Sequence, residues 1–224
     1  MNIIAKPNDK TSVQNVDGFG YVANFNNDIH NGTYGDGWYR VDYTNDEDFK
    51  NKLRDGFTCE IVCVSNFDQG QFWMRPFSTN KWGIMLKDGG EKKWVAFAQS
   101  ADNDWGAYGS SQQNGYVVYS ESRGITKHAS FTHLVYVYDA HTKEWGTFVD
   151  ANYNGGKPEN NFDVGNIMNV NGMPYVDREE TAHGWNGKVA MVRIYDEAYT
   201  QDQIIKRRQE LQSTIDKLNT LIAE

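Results

Sequence analysis

One stretch of the chain combines the residue types that recognise sugars. It is "QSADNDWGAYGSSQQNGYVVYS", residues 99–120, which interleaves aromatic rings with amides and carboxylates in a Gly/Ser-rich loop. Aromatic faces stack on the C–H-rich faces of sugar rings, and amides and carboxylates bind hydroxyls. The candidates are Asp102, Asn103, Asp104, Trp105, Tyr108, Gln112, Asn114 and Tyr116, with Trp73 and Arg75 of "QFWMRPF" as secondary candidates. The pattern predicts a carbohydrate contact site, and the alternative is a loop that its aromatic residues anchor to the core.

The residues needed for catalysis are not arranged in a recognisable pattern. Glycosidic hydrolysis with retention needs two carboxylates about 5–5.5 Å apart, but the acidic stretches "NDED", "DNDW" and "DREE" all occur in polar, loop-like sequence. The histidines are not spaced as zinc ligands, and neither a Gly-rich phosphate loop nor a nucleophile elbow is present. The five histidines are His30, His128, His133, His141 and His183. The sequence therefore predicts a protein that is not an enzyme.

Composition excludes several partner classes. The 224-residue chain has a formal net charge of −8, which is unsuited to phosphate backbones and argues against nucleic acid. Fully apolar runs are only a few residues long, so we expect no membrane-spanning segment. The N-terminus lacks the apolar core of a signal peptide, although Met1 could equally begin an excised domain. Cys59 and Cys63 are four residues apart, about 13 Å in a strand, and are expected to be buried without forming a disulfide.

The elements that must position these side chains are mainly β-strands. In "GFTCEIVCVSN", every second residue from Phe57 to Cys63 is apolar, which is the pattern of a half-buried strand. "KWGIMLKDGGEKKWVAFAQS" predicts two strands around a turn, and residues 131–150 predict a hairpin that turns at 140–143. Strands and turns recur with almost no helix pattern, which favours a sandwich or a barrel.

The end of the chain predicts a helix. Thr200 and Gln203 form a capping box, and apolar residues then follow at alternating steps typical of a coiled-coil seam. The helix is expected to span 200–224 and either to pack on its own domain or to serve as a connector or coiled-coil segment. The seam residues are Ile204, Leu211, Ile215, Leu218 and Ile222.

Several motifs together resemble a known family. "HGWNGKVAMVRIYDEAYTQDQI" is similar to the closing motif of laminin-G-like jelly rolls in the concanavalin A-like lectin/glucanase superfamily, with Tyr199 where Leu is usual. "SFTHLVYVYDAHTKEWGTFVD", "NFDVGN" and "GFTCEIVCVS" resemble further strands of that family in the expected order. The resemblance covers roughly residues 38–205. It implies an all-β, two-sheet antiparallel jelly-roll sandwich over residues 1–205, with a C-terminal α-helix.

The resemblance also implies a function. It indicates a non-catalytic recognition module, carbohydrate-binding and extracellular, cell-surface or periplasmic, within a larger bacterial protein that supplies a neighbouring domain. The alternatives are a protein-interaction or architectural module and, third, a glycoside hydrolase, although the E-x-D-x-x-E strand of such hydrolases is absent. "FNNDIHNGTYGDGW" resembles a calcium-binding segment of the family, and calcium prefers oxygen ligands. The calcium candidates are Asn27, Asp28, Asn31 and Asp36.

Overall fold

Two antiparallel β-sheets stack face to face in the computed structural model, which describes residues 2–6, 11–16, 19–26, 37–65, 74–87, 93–98, 130–158, 160–174 and 181–220. The six-stranded sheet has the order β1-β4-β12-β6-β7-β8. Its strands are β1 (Asn2–Lys6), β4 (Trp38–Asp42), β6 (Met74–Thr79), β7 (Trp82–Lys87), β8 (Lys93–Ala98) and β12 (Ile167–Val170). The predicted all-β jelly-roll sandwich is confirmed.

The other sheet has seven strands in the order β11-β10-β9-β5-β15-β3-β2. Its strands are β2 (Thr11–Val16), β3 (Gly20–Asn26), β5 (Gly56–Ser65), β9 (Thr132–Asp139), β10 (Glu144–Val149), β11 (Asn152–Pro158) and β15 (Asn186–Tyr195). A small ribbon pairs β13 (Met173–Pro174) with β14 (Thr181–Ala182). The predicted hairpin is confirmed, since β9 and β10 pair across the turn at 140–143.

Aromatic rings fill the space between the two sheets. The ring of Phe57 lies 4.5 Å from that of Trp82, which lies 5.0 Å from Tyr136. Cys59 and Cys63 are fully buried and free in the same core, as predicted. Aromatic burial of this kind removes large apolar areas from water and is the main stabilising term for such a sandwich.

The last strand, β15, lies inside the seven-stranded sheet. Its first half pairs on both sides: Val189 lies opposite Ala23 of β3 and Cys63 of β5. A register shift follows, and from Met191 to Tyr195 the strand pairs with β5 alone within the described part of the chain. The predicted interior position is confirmed for the half in which the strand has two neighbours.

Two helices follow β15, where the sequence predicts one. They are α2 (Gln201–Glu210), which begins at the predicted capping box, and α3 (Gln212–Thr220). The seam residues through Leu218 are buried: Ile204 packs on Val135 and Val137, and the rest pack on Val62 and Val64. The described part of the seam is therefore used within its own domain, which argues against a coiled coil through these residues. The expected domain boundaries stay a prediction.

A short helix early in the chain corrects the expectation of almost no helix before residue 200. It is α1 (Glu47–Asp55), and Asp46 caps it by accepting a hydrogen bond from the Phe49 amide at 3.0 Å. The stretch "NDED", interpreted as a solvated loop, is the start of this helix, where acidic residues are favourable. Leu53 anchors the helix in the core. In the residues that the structure describes, no helix is long and apolar enough to span a membrane.

Candidate functional site

The six-stranded sheet has a second face, turned away from the core, that carries buried polar side chains among apolar ones. On β4, Tyr39 and Val41 pack against the core, so Arg40 between them points away from it. The same alternation directs Asn169 of β12 and Ser78 of β6 to that side. We call this surface the outer face. The residues used below are Trp38, Arg40, Arg75, Ser78, Gly83, Phe97 and Asn169.

Strand pairing aligns part of the outer face into a row. Arg40 lies opposite Asn169, and Asn169 lies opposite Ser78. Ser78 in turn lies opposite Gly83, which lies opposite Phe97. Neighbouring strands are about 4.8 Å apart, so the row extends about 19 Å across five strands. A guanidinium, an amide, a hydroxyl and an aromatic ring therefore line one path, which we call the cross-strand row.

Gly83 fits this row because a larger residue would not. A Cβ atom at this position would lie 2.4 Å from the Cβ of Ser78 and 3.1 Å from Cε1 of Phe97. Such distances are shorter than van der Waals contact, so glycine allows the Ser78 hydroxyl and the Phe97 ring to lie side by side. The close approach fixes the spacing in the middle of the row.

Two arginines of the outer face stack on aromatic rings. The Cζ atom of Arg40 lies 4.1 Å from the ring centroid of Trp38, and that of Arg75 lies 4.5 Å from the ring centroid of Phe97. Both side chains are buried. A guanidinium stacked in this way keeps its N–H donors in a fixed plane, an arrangement suited to hydroxyl and carboxylate oxygens.

The centre of the row contains two polar atoms that could accept or share a hydrogen bond. Asn169 donates through Nδ2 to the carbonyls of Asn171 (2.8 Å) and Gly172 (3.2 Å). Within the described part of the chain, Asn169 Oδ1 and Ser78 Oγ have no hydrogen-bond partner, although both residues are buried. Buried polar atoms are normally satisfied, so these two fit a water molecule or the hydroxyl of a ligand.

A turn after β12 holds the outer face in place. Asn171 has φ 77°, a left-handed conformation that asparagine tolerates better than most residues. The backbone N–H of Asn171 donates to the Pro76 carbonyl at 3.1 Å, and its side-chain Oδ1 accepts from the Trp185 backbone N–H at 2.6 Å. The Gly172 amide donates to the Arg75 carbonyl at 2.9 Å. The turn therefore connects β12, β6 and the segment before β15, and it positions Arg75.

Most residues that the sequence singles out for ligand binding lie outside the described residues. Arg75 is the exception, and its guanidinium packs over Phe97 on the outer face. The aromatic-rich loop and the calcium candidates stay predictions. In the residues that the structure describes, no group of three or more His, Cys, Asp or Glu side chains is placed to hold a metal ion. The candidates outside those residues are Trp73, Asp102, Asn103, Asp104, Trp105, Tyr108, Gln112, Asn114, Tyr116, Asn27, Asp28, Asn31 and Asp36.

A separate charged cluster lies under helix α2, on the other sheet. Glu60 of β5 is 1% exposed and accepts hydrogen bonds from Arg207 Nε at 3.2 Å and Arg207 Nη2 at 3.1 Å. The Tyr195 hydroxyl donates to Glu60 Oε2 at 2.8 Å, and Nε2 of the buried His133 lies 3.4 Å from Oε1. We call these four residues the Glu60 cluster.

The electrostatics of the Glu60 cluster favour an ionised carboxylate. Burial alone would raise the pKa of Glu60, but the nearby His133 ring and the hydrogen bonds from Arg207 and Tyr195 outweigh it and lower the pKa to about 2. A carboxylate with so low a pKa is a poor general acid at neutral pH. The cluster therefore acts as an attachment between the sheet and α2. Sequence reasoning missed it, although a glutamate within an apolar strand is the signal that could have indicated it.

The family comparison agrees with this architecture. A family model described as "Concanavalin A-like lectin/glucanases superfamily" matches residues 71–205, more than half of the 224-residue chain. The chain therefore belongs to this family of laminin-G-like domains, and the resemblance seen in its closing motif is confirmed. A comparison with curated proteins found no match.

Solved structures with the same architecture include botulinum neurotoxin binding domains. The binding domain of botulinum neurotoxin DC matches in a complex with SialylT (10% identity) and in one with rat synaptotagmin II (11% identity), each with a TM-score of 0.60. A third structure is of botulinum neurotoxin type C, whose cell entry is described as dependent on interaction with two ganglioside molecules. It has a TM-score of 0.59 and 11% identity. All three matches cover 94% of this chain and 46% of the other, so the chain spans about half their length. At these identities the likeness shows the fold alone.

Proposed function

We propose that this protein is a non-catalytic recognition module that binds carbohydrate on the outer face of its six-stranded sheet. The observation that carries the proposal is the cross-strand row, in which Arg40, Asn169, Ser78 and Phe97 bring hydrogen-bonding groups and a ring together. The chain belongs to a superfamily whose description names lectins, which supports the proposal of carbohydrate binding. Further support comes from the fold shared with binding domains described with SialylT and with gangliosides.

The chemistry of the row suits a polyhydroxylated ligand. Asn169 Oδ1 and Ser78 Oγ could accept or share hydrogen bonds with sugar hydroxyls, but both residues are at most 1% exposed, so the proposal requires that the atoms covering them give way when a ligand enters. Because both residues are buried, a ligand that lacks the matching hydroxyl would leave a buried polar group unsatisfied. A site of this kind discriminates strongly between hydroxyl patterns. We therefore expect binding to a narrow set of sugars.

A glycan array with the intact chain tests the proposal, followed by titration of the glycan that is retained. Asn169→Ala is expected to weaken binding about tenfold, because it removes a buried hydrogen-bonding group. Asn24→Ala is the matched control, since Asn24 lies on β3 of the other sheet. Its side chain makes a long, weak hydrogen bond of 3.5 Å to the Ser12 hydroxyl. Thermal unfolding verifies that both variants fold. An array without retained glycans, or equal affinities for both variants, contradicts the proposal.

The absence of catalysis is part of the proposal, because the superfamily also includes glucanases. Among the described residues, Glu60 is the carboxylate that is buried, and its ion pair with Arg207 leaves it unsuited to donate a proton. Incubation with a panel of polysaccharides should release no reducing sugar. Release that a carboxylate substitution abolishes would show that the protein is a hydrolase.

The setting of the module and its calcium site are further proposals. We infer an extracellular, cell-surface or periplasmic location within a larger bacterial protein, supported by the family to which the chain belongs. Fractionation of the native host tests this, and recovery from the cytoplasm alone would contradict it.

Structural calcium at Asn27, Asp28, Asn31 and Asp36 is supported by residue type only. Calorimetric titration with calcium tests it, and a flat titration would end the proposal.

A further inference from the structure

An exposed tyrosine on the seven-stranded sheet is held in a fixed position. Tyr153 of β11 is 57% exposed, one of four large hydrophobic residues in the described part of the chain that are more than a third exposed. It lies opposite Phe148 of β10, and a register shift follows between Thr147 and Phe148. A register shift of this kind redirects side chains locally, and here it occurs beside Tyr153.

The Tyr153 ring rests on two glycines. Gly146 and Gly156 lie opposite each other on β10 and β11. A Cβ at Gly156 would lie 2.9 Å from the Tyr153 hydroxyl oxygen, and a Cβ at Gly146 would lie 3.3 Å from its Cε2. The ring also meets Phe148 edge-on, with centroids 5.4 Å apart. The glycines and Phe148 thus support the ring from below and from one edge, while more than half of the side chain faces solvent.

The surroundings of the ring define the ligand that it could take. Glu144 lies two residues before Gly146 and therefore on the same face of β10. The Tyr153 ring packs against Gly146, the next residue on that face, and both partial burial and the negative charge of Glu144 raise the pKa of Tyr153. A carboxylate here accepts hydrogen bonds from hydroxyls but repels acidic groups. The chemistry fits an uncharged ring with an apolar face and hydroxyls at its edge.

We infer that Tyr153, with Glu144 beside it, forms a second contact site for neutral pyranose rings, on the face of the sandwich opposite the cross-strand row. Phe148 packs with Ile204 of α2 on the helix-covered side of the seven-stranded sheet, which places the ring there too. The inference rests on the proposed function, since it assumes a carbohydrate ligand. Two sites on opposite faces would let one domain contact two chains of a polysaccharide, and multivalent contact raises retention without a stronger single site.

Fluorine NMR of protein labelled with 3-fluorotyrosine tests the site directly, with methyl glucoside, methyl galactoside and methyl mannoside as probes. The 13 tyrosines of the chain include Tyr21, which is 71% exposed on β3 and serves as the matched control. Tyr153→Phe and Tyr21→Phe assign the two resonances. We expect a saturable shift of the Tyr153 resonance with at least one glycoside and none for Tyr21. No shift, or equal and non-saturable shifts of both resonances, overturns the inference.

Affinity electrophoresis in gels containing neutral polysaccharides separates this inference from the proposed function. Tyr153→Ala should weaken retention about three- to tenfold, because the Tyr153 ring is held by Gly146, Gly156 and Phe148. Tyr21→Ala, at a tyrosine 71% exposed near the other edge of the sheet, should leave retention unchanged. If Asn169→Ala abolishes retention and Tyr153→Ala has no effect, the inference fails and the proposed site stands. If Tyr153→Ala reduces retention and Asn169→Ala does not, the inference stands and the binding face proposed above is wrong.

Discussion

Removing Arg207 should destabilise the protein far more than removing its neighbour Arg208. Arg207→Met keeps a helix-forming residue and an apolar stem but leaves Glu60 buried without its cationic partner. Breaking a buried ion pair costs about 3–5 kcal/mol. Tyr195 still donates to Glu60, and the Arg207 side chain is 23% exposed, so the cost should fall somewhat below this range, at about 2–3 kcal/mol. Arg208→Met breaks a pair with the more exposed Asp150 and should cost less than about 1 kcal/mol.

The pH dependence of this difference follows from the pKa of Glu60. The pKa is about 2 in the folded protein, against about 4.3 in an unfolded chain. Because the folded value is the lower one, the stabilisation is fully present above about pH 5 and is lost as the pH falls towards 2. The shift corresponds to at most about 3 kcal/mol, and solvent screening at the Arg207 side reduces this to about 2 kcal/mol. The difference between the parent and Arg207→Met should therefore shrink over this pH window.

Urea denaturation followed by tryptophan fluorescence measures these free energies. The double variant Glu60→Gln/Arg207→Met removes the buried charge together with its partner and should be more stable than Arg207→Met alone. Equal losses for Arg207→Met and Arg208→Met would refute the reasoning. So would a double variant that is no more stable than the single one, since the cost would then not come from an unpaired carboxylate.

Three further predictions concern stability, the first two from packing and the third from the proposed calcium site. Leu218→Ala should cost about 2–4 kcal/mol of unfolding free energy in urea, because Leu218 of α3 is fully buried against the sheet. Ile205→Ala, at a residue 37% exposed, should change it by less than about 0.5 kcal/mol. Gly83→Ala should cost about 1–3 kcal/mol by crowding Ser78, and Gly83→Ala/Ser78→Gly should recover part of that loss; no recovery would place the strain elsewhere. If calcium binds near Asp36, a chelator should lower the melting temperature of the parent and leave that of Asp36→Ala unchanged.

The elements that the sequence predicts well are those with strict alternation. Strand β5 shows this most clearly: its period of two places Phe57, Cys59, Ile61 and Cys63 on the core face, where the structure has them. The hairpin at 140–143 and the capping box at Thr200 depend on local turn and cap chemistry, which is also readable from the sequence. Helix α1 was missed because its acidic first turn resembles a loop when its amphipathic remainder is not considered.

The cross-strand row could not be predicted from one sequence. Arg40, Ser78 and Asn169 come from three distant parts of the chain and meet only because β12 pairs between β4 and β6. A shift of one residue in any of these pairings would turn that side chain into the core. Nothing local to the residues fixes that register. The Glu60 cluster has the same character, since Glu60 and Arg207 are 147 residues apart and meet only after the last strand is in place.

The positions of the helices limit which part of the seven-stranded sheet a ligand can reach. Helices α2 and α3 bury apolar side chains such as Leu218 against the seven-stranded sheet, and the Glu60 cluster holds α2 there. An extended ligand cannot use the part of that face beneath the helices without breaking a buried ion pair. Tyr153 lies outside this covered part, because β11 is an edge strand of the sheet. On the helix-covered face, a ligand contact is therefore expected only at the margin of the sheet, where Tyr153 lies.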